Sequence, residues 1–296
     1  MAALEATLQE NFFFREPPGF LETESGRLGL DAHRLGRLDS DRRWCIPWLD
    51  AARPLDGARV LEIGCGTGAT TIALAEQGAH VVAVDVDEPA LRAAQRRLEL
   101  YGLDAELHMM SATEIESAFA GRQFDFIIYW ASLEHMTHAE RMTTMQQSWR
   151  MLSKGALWVV IETPNRLHLS DSHTSFLPFF HWLSDDVALA YAKFSARSEY
   201  REAMQGLSLE VAAHRERLAR WGRGMSYHEF ELTMGPVAAL NVVSSMLGYH
   251  ASVSFARRAR AKMSRDARWA AVLRREKPDA HPAFFEPYLN LVIEKT

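Results

Sequence analysis

The chain has 296 residues, 48% hydrophobic and 24% charged, with 33 basic and 38 acidic side chains for a formal net charge of −5. This length buries a core without staples, and two cysteines, Cys45 and Cys65, make no disulfide framework. The charge balance argues for neither nucleic acid nor a membrane surface as partner, and no apolar run approaches the ~20 residues of a bilayer span.

Met1–Glu10 lacks the basic-then-apolar order of a secretory signal, so a cytoplasmic protein is expected. Residues 1–57 are irregular, with Pro17-Pro18-Gly19 and an apolar cluster of Trp44, Ile46, Trp48 and Leu49. They read as a helical cap, with the two tryptophans inside it or across a subunit interface of a homodimer. From Ala58 the pattern turns regular. Arg59–Ile63 reads as a strand, 69–77 as a helix stopped by Gly78, and 80–84 as a strand ending at Asp85. Asp87 starts the next helix, with Pro89 in its first turn and apolar residues at helical spacing up to Gly102.

A strand over 106–110 and a short helix near 113–119 follow, then a strongly apolar strand over 124–129. A helix over 138–152 carries Met142, Met145, Trp149 and Leu152 on one stripe, and 156–161 is the next strand. Alternation of this kind predicts a parallel sheet with helices on both faces. Regularity breaks after Thr163-Pro164-Asn165, and 165–225 reads as an inserted cap. A helix over 227–247, a strand near 251–255, a basic helical stretch over 257–275 and a final strand over 288–295 complete the chain.

The expected domains are therefore an N-terminal cap (1–57), a nucleotide-binding core (58–164), an acceptor-binding cap (165–225) and a C-terminal part of the sheet with a basic insertion (226–296).

The run Val60-Leu61-Glu62-Ile63-Gly64-Cys65-Gly66-Thr67-Gly68 joins a strand to a helix through a glycine-rich turn, where a ligand can approach the main chain. Cys65 is a small packing residue within it. The spacing Gly64-x-Gly66-x-x-Ala69, with Asp85 21 residues after Gly64, also satisfies a relaxed dinucleotide fingerprint, so an NAD-dependent oxidoreductase stays open at this point. Glu62 favours a ligand bearing an ammonium group, whereas a pyrophosphate favours an uncluttered helix N-terminus.

This run, the acidic strand end Val84-Asp85-Val86-Asp87 and the apolar strand Phe124–Tyr129 continuing through Trp130-Ala131-Ser132-Leu133-Glu134-His135 resemble the class I S-adenosylmethionine (SAM) methyltransferases. The resemblance covers 58–162 well and the terminal strand more loosely. It implies a Rossmann-like seven-stranded, mostly parallel sheet with the last strand antiparallel. It also implies cofactor contacts: Gly64 and Gly66 along the amino acid part of SAM with Glu62 near its ammonium, and Asp85 on both ribose hydroxyls. Val86 would lie on the adenine, Ser111-Ala112 near its amino group, and Trp130 beside the sulfonium.

On the acceptor side, Glu134-His135 resembles the Glu-His pair of the quinone-biosynthesis O-methyltransferases. In some of those enzymes a Glu-x-x-Glu-His pattern holds a divalent cation such as Mg2+; here Ala131 replaces the first acid, leaving Glu134 and His135 as metal ligands with help from elsewhere. Asp171 and His173 could form a base with its orienting carboxylate, or a pair of metal ligands. Phe176, Phe179, Phe180 and Trp182 could stack on a ring or form the core of the cap. His168 and His181 read as structural. Together these residues suggest transfer of a methyl group to a hydroxyl of a small-molecule or oligosaccharide acceptor, first a sugar or glycan, second a phenol or quinol. His135 or His173 would be the base. A nitrogen or carbon nucleophile and a catalytically silent SAM-binding protein are further alternatives.

Overall fold

The computed structural model describes residues 2–253 and 265–296. Seven strands, β1 (Arg59–Ile63), β2 (His80–Asp85), β3 (Glu106–Met109), β4 (Phe126–Trp130), β5 (Leu157–Pro164), β6 (Asn241–Ser245) and β7 (Tyr288–Glu294), form one sheet in the order 3-2-1-4-5-7-6. β1 pairs in parallel with both β2 and β4, β2 with β3, and β7 runs antiparallel to β6. The expected α/β architecture with its last strand antiparallel is therefore present. All five residues of β4 are buried, which is why its sequence is a continuous apolar run with no alternation.

The described chain divides into two compact units. One comprises 1–130, 150–158 and 295; the other comprises 131–149, 159–294 and 296.

In the first unit the helix Ala2–Asn11 lays Leu4 and Leu8, with Phe13, against Ala93 of the helix Glu88–Tyr101. The expected N-terminal cap is helical but interrupted by π-turns at Ala32–Gly36 and Asp41–Cys45. Trp48 is fully buried within the chain. Asp87 caps the helix Glu88–Tyr101 by accepting from Ala90 N, and Gly102 ends it at φ +64°, as the sequence predicts.

In the second unit the stretch 165–225 builds its own core from Leu177, Phe180, Ala188, Ala192, Tyr200, Met204 and Leu218. Two expectations change after it. The predicted helix over 227–247 stops at Met234, where Gly235 takes φ +104° and Pro236 follows; Asn241–Ser245 is instead the strand β6. The strand expected near 251–255 begins inside a helix, Met246–Val253, and its remainder lies outside the described residues. So does the first part of the basic stretch, whose second part is the helix Arg265–Glu276. Among the described residues no helix is long and apolar enough to cross a membrane.

Candidate functional site

In the first unit the turn after β1 is built by three left-handed glycines, Gly64, Gly66 and Gly68 at φ +83°, +52° and +77°. Gly64 N and Cys65 N both donate to Val84 O, at 2.8 and 3.2 Å, anchoring the turn to β2. A Cβ at Gly68 would lie 2.8 Å from Ala94 Cβ and 3.0 Å from Ala94 Cα, so this glycine permits the close crossing of the helix Glu88–Tyr101. A Cβ at Gly66 would meet nothing within 4 Å. That open space lies over the main chain, where a ligand needs it.

Asp85 reaches back to the turn. Its Oδ2 accepts from Gly66 N at 2.7 Å and its Oδ1 from Asp87 N at 2.9 Å. Burial raises its pKa, while the backbone donors oppose that rise. Val86 beside it is 69% exposed, an apolar face free to cover a flat ring. Glu62 is fully buried; its carboxylate accepts from Thr71 Oγ1 at 2.7 Å and from Thr70 Oγ1, and burial pushes its pKa up to about 7. Burial also holds the Cys65 thiol protonated, in keeping with a packing role. Trp130 is buried at the end of β4, and Ala112 opens a short 3-10 turn capped by Ser111.

One side chain the sequence did not single out organises this turn. The buried Arg97 guanidinium donates to Thr67 O at 2.9 Å, Arg34 O at 3.2 Å and His33 O, tying the glycine turn to the N-terminal helices. Burial lowers its pKa to about 10, so it stays charged at neutral pH.

In the second unit, Glu134, His135 and His173 bring one potential ligand atom each to within 4.8 Å of one another. Glu134 is fully buried. Its Oε2 accepts from Thr163 Oγ1 at 3.0 Å, and its Oε1 has no hydrogen-bond partner among the described residues. Both imidazoles face that oxygen, His135 Nε2 at 3.9 Å and His173 Nε2 at 3.8 Å. Their tautomers follow from what lies behind them. His135 Nδ1 is 2.9 Å from Arg220 O, which can only accept, so Nδ1 carries the proton. His173 Nδ1 is 3.2 Å from Thr174 Oγ1, whose hydroxyl already donates to Gly222 O at 3.0 Å. In the neutral form each ring therefore turns an Nε2 lone pair toward Glu134. Burial lowers the His173 pKa to about 4 and raises that of Glu134.

The loops that carry these groups are held by arginines. Arg141, itself buried, donates to Leu133 O at 2.9 Å and to Arg223 O at 2.8 Å, while Arg223 N donates to Glu134 O at 2.9 Å. Arg220 pairs with Glu140 at 2.7 Å and donates to His135 O at 3.2 Å. Ala131 at φ +46° and Glu162 at φ +61° place left-handed backbone just before the Glu134 turn and near the end of β5, a strain that persists only where the surroundings fix it.

Asp171 plays a different part from the one its spacing suggests. Its Oδ1 accepts from the backbone N of His173 and Thr174, at 2.8 and 2.9 Å, and its Oδ2 from Ser175 Oγ at 2.8 Å. His181 Nε2 lies 3.2 Å from the same Oδ1, and these contacts hold the Asp171 pKa well below the carboxylate range against the effect of burial. It shapes the turn that presents His173, whose ring leans on Thr174. His168 and His181 are buried, bonded to Phe285 O and Gly224 N. The aromatics divide: Phe180 is core, whereas Phe176, Phe179 and Trp182 are 50%, 47% and 44% exposed. Phe176 and Phe179 both hold left-handed backbone, at φ +57° and +62°.

Residues 60–155 match the family described as "Methyltransferase domain". The chain is 33% identical over 121 residues to a "Ubiquinone biosynthesis O-methyltransferase" of Thiobacillus denitrificans, covering 41% of this chain and 50% of the relative. Against the protein of the same name from Rhizobium johnstonii it is 30% identical over 164 residues, 54% of this chain and 63% of the relative. The chain thus spans about half the length of the curated relatives it matches. Among solved structures, an S-adenosylmethionine-dependent methyltransferase from Clostridium acetobutylicum is 19% identical with a TM-score of 0.41, over 52% of this chain and 63% of that one.

Proposed function

From a chain whose residues 60–155 are a class I SAM-dependent methyltransferase domain, we propose an enzyme that transfers a methyl group from SAM to a hydroxyl of a polar, ring-shaped acceptor. The dinucleotide alternative gives way to this reading. The cofactor would lie over Gly64 and Gly66, with its ribose on Asp85 and its adenine against Val86 and Ala112. Asp85 Oδ1 and Oδ2 each hold one backbone donor at present and have lone pairs left for the two ribose hydroxyls. Trp130 would close the side nearest the sulfonium.

The observation that carries the choice of a hydroxyl is the meeting of two imidazole Nε2 lone pairs with an unpartnered buried carboxylate oxygen. Such a cluster attracts a proton or another cation, and a hydroxyl becomes a competent nucleophile only when its proton is drawn away. In-line displacement then requires the oxygen, the methyl carbon and the sulfur to be aligned, and alignment can contribute ~7–11 kcal/mol. His135 and His173 are 43% and 27% exposed at the side chain, so an acceptor can reach them. Asp171 shapes the turn that presents His173, and Arg220 O holds the ring of His135. The exposed rings of Phe176, Phe179 and Trp182 offer a platform for a sugar face, which is the acceptor class we favour.

A phenol or quinol is the second reading, supported by the names of the relatives from Thiobacillus denitrificans and Rhizobium johnstonii. The test is mass-spectrometric detection of a 14 Da gain across a panel of mono- and oligosaccharides, catechols and hydroquinones, with SAM as donor. Transfer to a sugar oxygen supports the first reading, and transfer confined to phenols selects the second. Transfer only to amines would refute both.

A further inference from the structure

The sequence pointed to Mg2+ at Glu134 and His135, and the donor set does not suit it. Mg2+ seeks an octahedron of oxygens, whereas two of the three donors here are imidazole nitrogens. We propose that Glu134 Oε1, His135 Nε2 and His173 Nε2 form a binding site for a divalent transition ion of the Zn2+, Mn2+ or Fe2+ class.

Four observations converge on it. The carboxylate oxygen is buried, lacks a hydrogen-bond partner among the described residues, and is kept from turning away by Thr163, which holds its fellow oxygen. An unpaired buried polar atom is costly, and a cation removes that cost. Both rings are fixed through Nδ1, by a carbonyl in one case and a hydroxyl in the other, the arrangement that orients ligating histidines and commits Nε2 to the metal. The nitrogen-to-oxygen separations of 3.8 and 3.9 Å stand about half an ångström beyond the ~3.4 Å between ligands of a tetrahedral site with ~2.1 Å bonds. A small inward turn of each ring closes that gap. Finally, three protein ligands leave coordination positions open on the side where the two rings meet solvent. Two imidazoles with one carboxylate is a donor set chosen by borderline ions over Mg2+.

The inference deepens the reading above and rests on it only for the ion's role, which is to supply positive charge that lowers the pKa of a hydroxyl held nearby. On this assignment the two histidines are ligands and the ion replaces them as the group that draws the proton away.

The site is tested on the full chain, stripped with a chelator and then titrated with Mn2+ under electron paramagnetic resonance and with Zn2+ by calorimetry. About one ion per chain is expected, with Mg2+ at equal concentration failing to displace it. His173→Asn and Glu134→Gln should each weaken Mn2+ binding by about tenfold or more while S-adenosylhomocysteine (SAH) binding is retained. If Glu134→Gln, at a buried position, unfolds the loop, His173→Asn, on a half-buried ring, decides. No uptake of Mn2+ or Zn2+, displacement by equimolar Mg2+, or wild-type affinity in the folded variants would overturn the site. Methyl transfer by a demonstrably ion-free chain would defeat the ion's role in drawing off the proton and leave the O-methyltransferase reading intact. Stoichiometric ion binding without transfer to any hydroxyl would do the reverse.

Discussion

Gly66 and Gly68 share a left-handed backbone for different reasons, and substitution separates them. Alanine at either strains the chain by ~1–2 kcal/mol. At Gly68 the new methyl also collides with Ala94, so Gly68→Ala should cost ~3 kcal/mol or more and lower the melting temperature clearly. At Gly66 it enters open space, so the fold should lose only ~1 kcal/mol while SAH affinity falls by tenfold or more. Equal loss of stability in the two variants would contradict this division. Glu62 sets a pH dependence in the same turn. Its carboxyl titrates near 7 when folded against an ordinary 4.5, so the folded chain keeps a proton that the unfolded chain has released. That contribution is fully present below 4.5 and is lost as pH rises through 7. Buried Glu286, also pushed up to about 7, adds a change of the same sign. The melting temperature should therefore fall between pH 5 and pH 8, and Glu62→Gln should flatten part of the fall. An unchanged profile in that variant would show that Glu62 is already ionised in the folded state.

Between elements, the parts of the fold that repeat were legible and the parts that depend on distant partners were not. The strands β2 and β4 announce themselves because burial on both faces demands continuous apolar runs, and β1 keeps such a run broken only by the buried Glu62. β6 is a short edge strand with only its last residue buried and no such run, so its sequence reads as the continuation of a neighbouring helix despite the Gly235-Pro236 break. Glu134, His135 and His173 were each visible as candidates. Their meeting was not, because 38 residues separate His135 from His173 and Asp171 offered a nearer partner. Arg97 was invisible for the same reason: its carbonyl partners lie 30, 63 and 64 residues away. Removing it tests how elements are joined. Arg97→Met keeps the aliphatic bulk but leaves three carbonyls without a charged donor, a loss of about 2–4 kcal/mol. Protease cleavage within the first 40 residues should accelerate, and SAH affinity should fall with it as the glycine turn loosens. Faster cleavage with unaltered SAH affinity would show that the N-terminal helices do not support cofactor binding at the glycine turn.

For the molecule as a whole, the proposed division of labour is that the first unit holds the cofactor and the cap of the second selects the acceptor. The cap owns its core: Phe180 is buried there, edge-on to Tyr200 with ring centroids 5.7 Å apart, and the Arg223 guanidinium lies 4.9 Å from its ring centre. The same arginine's main chain bonds Glu134 O, so packing at Phe180 is linked through one residue to the proposed site. Phe180→Ala should cost about 3–5 kcal/mol within the cap. Loosened packing misplaces the acceptor and the groups that draw off its proton, and a shift of ~1 Å can cost on the order of a hundredfold in rate. The glycine turn proposed to hold the cofactor, tied to Asp85 and Arg97, contributes no residue to that core. Calorimetry should accordingly find SAH affinity within about twofold of wild type at a temperature where the variant remains folded, while methyl transfer falls by about tenfold or more. Loss of SAH affinity in step with turnover would show instead that cofactor and acceptor binding depend on one shared core, and the proposed division would fail.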